Sequence, residues 1–336
     1  MTMLRATAPG KLVLWGEYAV LAGAPAVALA VDRLAICSFR PNAATRTWTL
    51  TTPGLAAGSR QLSLDSLIIS SQPPASAPEA LLWHAVCNLK GAANRLPSGG
   101  ELELDSTAFE YQGTKLGLGS SAAVCTALVA LLRHLASEPA AEPSAFQTHR
   151  SAQNGKGSGI DVAAALHGGM VLLQPNLEEP TAPGVRTYPW PEKLHWRALW
   201  TGKPAATTTH IQRFDDWVGQ DPAARPAPLR YLMDCSETLA TGFSLDRFRR
   251  YIAALHDVDR HGRLGIYTDL HTELHNLART AGIHYKPCGA GGGDAGIAVS
   301  DDPSRLQAFC EAAAQLAPNV HPLDLRLANH GIRISS

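Results

Sequence analysis

Lys11 follows a Pro9-Gly10 pair and leads on to Gly16-Glu17-Tyr18. Near the middle of the chain Gly117-Leu118-Gly119-Ser120-Ser121-Ala122 precedes a run of helix formers, and towards its end stands Gly289-Ala290-Gly291-Gly292-Gly293-Asp294. A backbone of glycines can approach a ligand closely and aim successive N–H groups at it. Where such a turn opens a helix, the helix dipole adds partial positive charge. That is the chemistry of phosphate binding. One glycine stretch is as easily a tight turn, but three of them, at start, middle and end, read as three walls of one anion site. The middle stretch is not a Walker A loop, because no Gly-Lys-Ser/Thr follows its glycines.

Phosphoryl transfer needs positioning and charge neutralisation more than covalent chemistry. Lys11 is the candidate cation, against the plainer reading of a solvated loop lysine. The Ser120 and Ser121 hydroxyls can bond phosphate oxygens or reach a Mg2+ carried by a nucleotide. Asp161 follows the loop Gly155-Lys156-Gly157-Ser158-Gly159 and precedes the alanine-rich Val162 to Leu166. It reads equally as an orienting acid or base and as a helix N-cap. His271, Glu273 and His275 share one predicted helix, but their order is not His-Glu-x-x-His and no third ligand accompanies them, so helix surface is the better reading than zinc. Trp190, Trp196, Trp200 and Trp217 have no basic stripe beside them and read as core or interface anchors rather than base-stacking platforms.

These residues need a scaffold. Leu12 to Trp15 and Ala26 to Val31 read as strands joined through Gly23-Ala24-Pro25, which puts Lys11 at the mouth of a strand. The stretch 38–76 reads as edge strands and loops, Ala77 to Leu89 as a helix, and Glu101 to Asp105 as a half-exposed strand. Ala122 to Leu135 reads as a helix that the second glycine motif opens. Four prolines mark 178–191 as an interdomain connection. Beyond it Trp196 to Trp200 and Gly296 to Ser300 read as strands, and Leu245 to Leu255 and Thr268 to Ala281 as amphipathic helices.

A chain of 336 residues favours two domains. Its 29 basic and 29 acidic side chains give no excess that would draw nucleic acid or an anionic membrane. The six cysteines are scattered without a Cys-x-x-Cys pair, which fits a reducing cytoplasm. The longest mostly apolar run, Ala122 to Leu132, is well short of the roughly 20 residues of a membrane span. The N-terminus lacks a signal-peptide layout. No membrane or nucleic-acid partner is therefore expected.

The motifs and their order resemble the GHMP kinases, the superfamily of galactokinase, homoserine kinase and mevalonate kinase, over nearly the full length. Within it the phosphomevalonate kinase branch is the most similar. The resemblance rests on Ala8-Pro9-Gly10-Lys11-Leu12 with Gly16-Glu17-Tyr18-Ala19-Val20, on Gly117 to Ser121, and on Ala152-Gln153 with Gly157 to Ala165. It continues in Trp200-Thr201-Gly202-Lys203-Pro204-Ala205 with Thr207 and in Lys286-Pro287-Cys288-Gly289 through Asp294.

It implies an α+β, two-domain GHMP kinase fold. Residues 1–184 would be an ATP-binding domain of the ribosomal protein S5 domain 2-like type, and residues 185–336 a ferredoxin-like C-terminal domain. It implies ATP and Mg2+, with ATP phosphates on Gly117, Leu118, Gly119, Ser120, Ser121 and Ala122, and metal at Ser120 or Ser121. Lys11 and Asp161 would be the catalytic pair. The acceptor would lie among Glu17, Tyr18, Lys156, Ser158, Gly159, Lys203, Gly291, Gly292, Gly293 and Asp294. The implied reaction makes 5-diphosphomevalonate from 5-phosphomevalonate, in a cytoplasmic monomer or homodimer. Mevalonate or a sugar-like alcohol as acceptor, or a nucleotide-binding pseudokinase, are the alternatives.

A phosphomonoester, with its second pKa near about 6, is already mostly dianionic at neutral pH and needs no base, but its charge calls for extra cations. Lys156, Lys203, Lys286 and His149 are the candidates. The chain departs from the family pattern in three places: Phe146 to Arg150 contains no carboxylate where many mevalonate kinase relatives place a metal-binding glutamate, Asn154-Gly155-Lys156 differs from the Gly-Lys-x expected after Ala152-Gln153, and Cys288 stands where serine is usual.

Overall fold

The computed structural model describes residues 2–139, 142–205, 207–219, 221 and 224–336; the Thr207 side chain lies outside that description. The larger sheet is built on two long strands, β1 (Leu4–Trp15) and β2 (Ala26–Pro41), which pair antiparallel along most of their length. Both are longer than Leu12 to Trp15 and Ala26 to Val31, because their extra residues are held by partners distant in sequence. β3 (Trp48–Thr51), β4 (Ser59–Leu62) and β5 (Gly100–Asp105) extend the sheet on the far half of β2, with β3 and β5 parallel. A two-stranded hairpin, β6 (Glu110–Tyr111) and β7 (Thr114–Lys115), follows. On the near half of β2 lies β8 (Met170–Gln174), and β9 (Gly184–Thr187) pairs with β8. The proline-rich connection thus contributes a strand.

The second sheet has the order β11-β12-β10-β13, from β10 (His195–Trp200), β11 (His284–Pro287), β12 (Ala295–Ser300) and β13 (His321–Leu323), all antiparallel. The last strand, β14 (Arg333–Ser335), returns to β1 in the first sheet. With both sheets flanked by helices, the architecture is mixed α+β.

The helices of the first half begin with α1 (Leu64–Ile69), α2 (Ala77–Cys87) and α3 (Ser120–Leu135). α3 is the central one. Residues 122 through 129 are all buried, so this stretch has no solvated face, and the helix packs against β1 and β2. α4 (Glu142–Ala152) and α5 (Ile160–His167) pack beside it. In the second half stand α6 (Thr207–Val218), α7 (Ala227–Thr241), α8 (Leu245–Gly262), α9 (Asp269–Thr280) and α10 (Pro303–Leu316). α8 and α9 begin at Ser244 and Thr268, whose hydroxyls accept backbone N–H bonds from Arg247 and His271, the N-cap pattern expected of these residues. α8 continues to Gly262, two turns beyond Leu255, while α1, α6 and α7 lie in segments not read as helices from the sequence.

One large core joins side chains of both sheets, and a smaller core under β11, β12, α9 and α10 is organised around Tyr285 and Phe309. Between the two halves a buried polar clamp adds to this apolar packing. Lys286 is ion-paired with Glu17, and its ammonium also donates to the carbonyls of Val13 (3.3 Å) and Pro287 (2.9 Å). The Tyr251 hydroxyl donates to the other Glu17 oxygen at 2.6 Å and accepts from the Gly16 N–H at 2.8 Å. Every donor of the lysine therefore has an acceptor, which is the condition for burying such a charge.

Candidate active site

α3 sets the site's axis. Gly119 caps it in the left-handed conformation (φ 78°), and Gly117 also has positive φ (74°), so the chain turns tightly into the helix. The first backbone N–H groups of a helix lack intrahelical acceptors and point outward with the positive end of the dipole. Ser120 and Ser121 stand at this end and line a cavity of about 510 Å³. Leu118 and Ala122 are 1% and 0% exposed, so only their backbone is available to a ligand.

Lys11 comes to the same spot from β1. Its N–H donates to the Leu118 carbonyl at 2.8 Å, and its ammonium lies 3.3 Å from the Gly117 carbonyl. The preceding glycine makes this approach possible: a Cβ on Gly10 would come within 2.7 Å of the Leu118 oxygen. A Cβ on Gly119 would come within 3.0 Å of the Lys11 stem, and one on Gly289 within 3.7 Å of its ammonium. The cation thus crosses the second glycine loop and ends beside the third.

Asp161 lies in the first turn of α5, which Gly159 caps with φ 79°. One carboxylate oxygen accepts from the Val162 N–H at 3.0 Å and the other is 4.0 Å from His149 Nε2. His149, expected as a free cation for the acceptor, is instead buried. Its Nε2 is 3.0 Å from Gln153 Nε2 and 3.5 Å from Ser121 Oγ. It knits the start of α3 to α4 and α5 where the sequence lacks a second carboxylate.

Glu17 and Lys286 were expected at the acceptor and are committed to each other in the buried clamp, so neither carries a free charge into the cavity. Tyr18 borders the cavity, but its hydroxyl donates to the Ala290 carbonyl at 2.6 Å, and burial pushes its pKa well up. It holds the third glycine loop. In that loop Cys288, Gly289, Ala290 and Asp294 border the cavity. Gly291, Gly292 and Gly293 do not, contrary to expectation: they pack against Ile266, His210 and the Lys203 carbonyl, and the Gly292 N–H donates to the Ile266 carbonyl at 2.9 Å. These glycines are required by close packing. Lys203 is likewise off the cavity, exposed, with its carbonyl accepting the Asp294 N–H at 2.7 Å. Its neighbours Pro204 and Ala205 take its place in the wall.

Asp294 accepts from the Ala205 N–H at 2.9 Å, and burial raises its carboxyl pKa. Lys156 and Ser158 border the cavity, and the Lys156 ammonium is 3.0 Å from Gln212 Oε1. Gly159 lies behind it, with a Cβ there meeting Phe146 at 3.0 Å. Lys115, not singled out from the sequence, lines the cavity from the β6–β7 hairpin; its cross-strand pairing with Glu110, not a sequence motif, places it there. His271 shows the opposite of a metal ligand. It is fully buried, with Nδ1 2.8 Å from the Tyr285 hydroxyl and Nε2 3.0 Å from the Gly293 carbonyl, and burial lowers its pKa to about 4. Among the described residues no cluster of three or more His, Cys, Asp or Glu can hold a metal, and no helix is long and apolar enough to cross a membrane.

Residues 80–169, which carry α3, the second glycine motif and Asp161, match the family model described as the GHMP kinases N terminal domain. Over 97% of its length the chain is 29% identical to phosphomevalonate kinase of Streptomyces sp. (strain CL190), covering 97% of that protein. The chain is thus similar to GHMP kinases, in this domain and over nearly its full length. A phosphomevalonate kinase of Saccharolobus solfataricus is 27% identical over 50% of the chain and 49% of its own length. Among solved structures, a Lin0012 protein from Listeria innocua superposes with a TM-score of 0.83 at 20% identity, covering 99% of each chain. Streptococcus pneumoniae phosphomevalonate kinase in complex with phosphomevalonate and AMPPNP superposes with a TM-score of 0.72 at 20% identity, over 97% of this chain and 100% of that one. The fold is that of GHMP kinases, and the similarity to them indicates a phosphotransferase.

Proposed function

We propose that the chain transfers the γ-phosphoryl group of ATP to 5-phosphomevalonate, giving ADP and 5-diphosphomevalonate. The observation that carries this reading is the meeting, in one cavity, of the α3 N-terminus, the Lys11 ammonium and the Asp161 carboxylate. The full-length similarity to a phosphomevalonate kinase supports the acceptor. In this reading the nucleotide phosphates lie on the amides at 117–122 and the serine hydroxyls. A phosphate oxygen of the acceptor attacks the γ-phosphorus in line, the bond from that phosphorus to the β,γ-bridging oxygen breaks, and ADP leaves with the electron pair. Lys11 stabilises the charge on the moving group.

Because the acceptor is already dianionic at neutral pH, no proton has to be removed, and Asp161 acts by orientation. Ser120, Ser121 and Asp161 offer hard oxygen donors, a set that fits Mg2+, which commonly binds through one or two carboxylates together with substrate phosphates. The ion would supply charge neutralisation on the phosphates. The division into residues 1–184 and 185–336 is part of the proposal, with β9 and β14 of the second segment completing the first segment's sheet. So are a cytoplasmic location and a monomeric or homodimeric state.

ADP release with Mg-ATP and 5-phosphomevalonate, mevalonate or no acceptor tests the assignment. Turnover with 5-phosphomevalonate alone is expected, and turnover only with mevalonate, or with neither, would overturn it. Asp161→Asn sharpens the test: a phosphate acceptor predicts partial activity, and complete loss with an intact fold would restore a base to the mechanism.

A further inference from the structure

The main cavity has a continuation. Beyond Val20, Leu21, Lys156, Gly157, Ser158 and Ile211, which it shares, a second hollow of about 280 Å³ opens on the side away from Lys115 and the α3 N-terminus. Its far wall is Pro175 to Leu177 with Pro180 and Pro183, and its floor carries Arg150. Nucleotide phosphates enter from the α3 side, and in-line attack places the acceptor opposite them. In the kinase reading above, an acceptor longer than its reacting phosphate has this annex as the space into which it can extend.

Arg150 is half-buried in the last turn of α4. One of its N–H groups bonds the Gly157 carbonyl at 3.3 Å, and no carboxylate pairs with it among the described residues. A guanidinium has five N–H donors, so most of its donor capacity remains for a ligand. The 153–157 loop holds it in place, since the Gly155 N–H donates to the Arg150 carbonyl at 2.8 Å. Lys156 contributes a second positive charge at the junction, partly offset by Asp215 at 3.9 Å. Asp215 itself and Asn176 also line the annex, and the rest of its wall is apolar and proline-rich.

Resting on the kinase reading above, we infer that Arg150 anchors a second anionic group at the far end of the acceptor. The acceptor is then a short acyclic phosphate ester ending in a carboxylate, and the annex selects it over phosphorylated alcohols that lack the acid. A planar fork matched to a carboxylate is what arginine offers and lysine does not.

The test compares two acceptors, 5-phosphomevalonate and the phosphate ester of 3-methylpentane-1,3-diol, which has a methyl group in place of the carboxylate. Wild type should favour the acid by about 10- to 150-fold in kcat/KM, the worth of a charged hydrogen-bonded contact. Arg150→Met should lose most of that preference through KM for the acid while leaving the diol ester within about 2-fold. Arg150→Lys should restore part of it. Equal losses on both acceptors in Arg150→Met would make Arg150 a support of the 153–157 loop and overturn the inference alone. So would an unchanged preference. Wild type that turns over neither acceptor would overturn the function itself, and this inference with it.

Discussion

Replacing Lys286 with methionine separates a structural clamp from a substrate-binding cation. The Lys286 and Glu17 side chains are 0% and 1% exposed. Without the ammonium, the Glu17 carboxylate keeps the Tyr251 hydroxyl as a donor and loses its counter-charge where water cannot replace it. Breaking a buried pair by deleting one partner costs about 3–5 kcal/mol. Methionine fills most of the aliphatic stem's space, so a cavity term adds little. Lys286→Met is therefore expected to be about 4 kcal/mol less stable. Adding Glu17→Gln removes the stranded charge and keeps an acceptor for Tyr251, so the double variant should recover about half of the loss. Urea unfolding followed by circular dichroism measures all three variants, and steady-state kinetics under folding conditions measures the acceptor KM, expected to change by less than about 2-fold. A stability loss below about 1 kcal/mol, or a double variant as unstable as the sum of the singles, would refute the clamp. A large KM increase with stability intact would return Lys286 to the acceptor site.

Lys11→Met should lower kcat by about 10²–10³-fold with the fold intact, since it deletes one preorganised positive group from the transferring phosphoryl site; near-normal turnover would contradict the placement. Gly117→Ala puts a Cβ within 2.6 Å of Asp294 Oδ2 at a residue with φ of 74°, costing about 1–2 kcal/mol in backbone strain before the clash is counted. Lower melting temperature and weaker ATP binding, measured by calorimetry, are expected, and neither changing would mean that the two loops are not in contact. His271 is held neutral, its pKa lowered by burial to about 4 against 6.5 for the free side chain, so the unfolded chain binds more protons between those values. Stability is then full above about pH 6.5 and is lost as pH falls through about 4, by about 3 kcal/mol for this group. Urea midpoints across that window should fall less steeply in His271→Gln, and parallel curves would refute the assignment.

The glycine motifs were legible in the sequence because their requirement is local. A left-handed turn into a helix, as at Gly117-Leu118-Gly119, is set by a few adjacent residues, and so is a lysine carried past it on a strand. The partners of charged side chains were not legible, because pairing is decided by residues far apart in sequence. Glu17 and Lys286 meet across 269 positions, and each alone looks like a free ion beside a glycine motif. The same holds for Gly291 to Gly293, whose composition suggests a ligand cradle while their neighbours Ile266 and His210 demand close packing. Strand length failed for the same reason: β1 extends to Leu4 because β14, from the last residues of the chain, pairs with its first half.

These two kinds of residue divide the labour of the site. In the proposed function the locally encoded groups are the start of α3 and Lys11, which present positive charge to phosphate, and Asp161, which orients them. The long-range contacts fix where those groups stand relative to the third loop. Tyr18 joins them, held at φ 61° with its hydroxyl on the Ala290 carbonyl, one loop residue away from the glycine facing the Lys11 ammonium. A non-glycine residue in that conformation costs of order 1–3 kcal/mol and persists where surrounding contacts enforce it. Here the Glu17 clamp fixes the preceding residue, and Phe214 packs on the ring at 5.2 Å. The cation, the phosphate loop and the third loop are thus held in register before any ligand binds, which is the preorganisation that phosphoryl transfer requires.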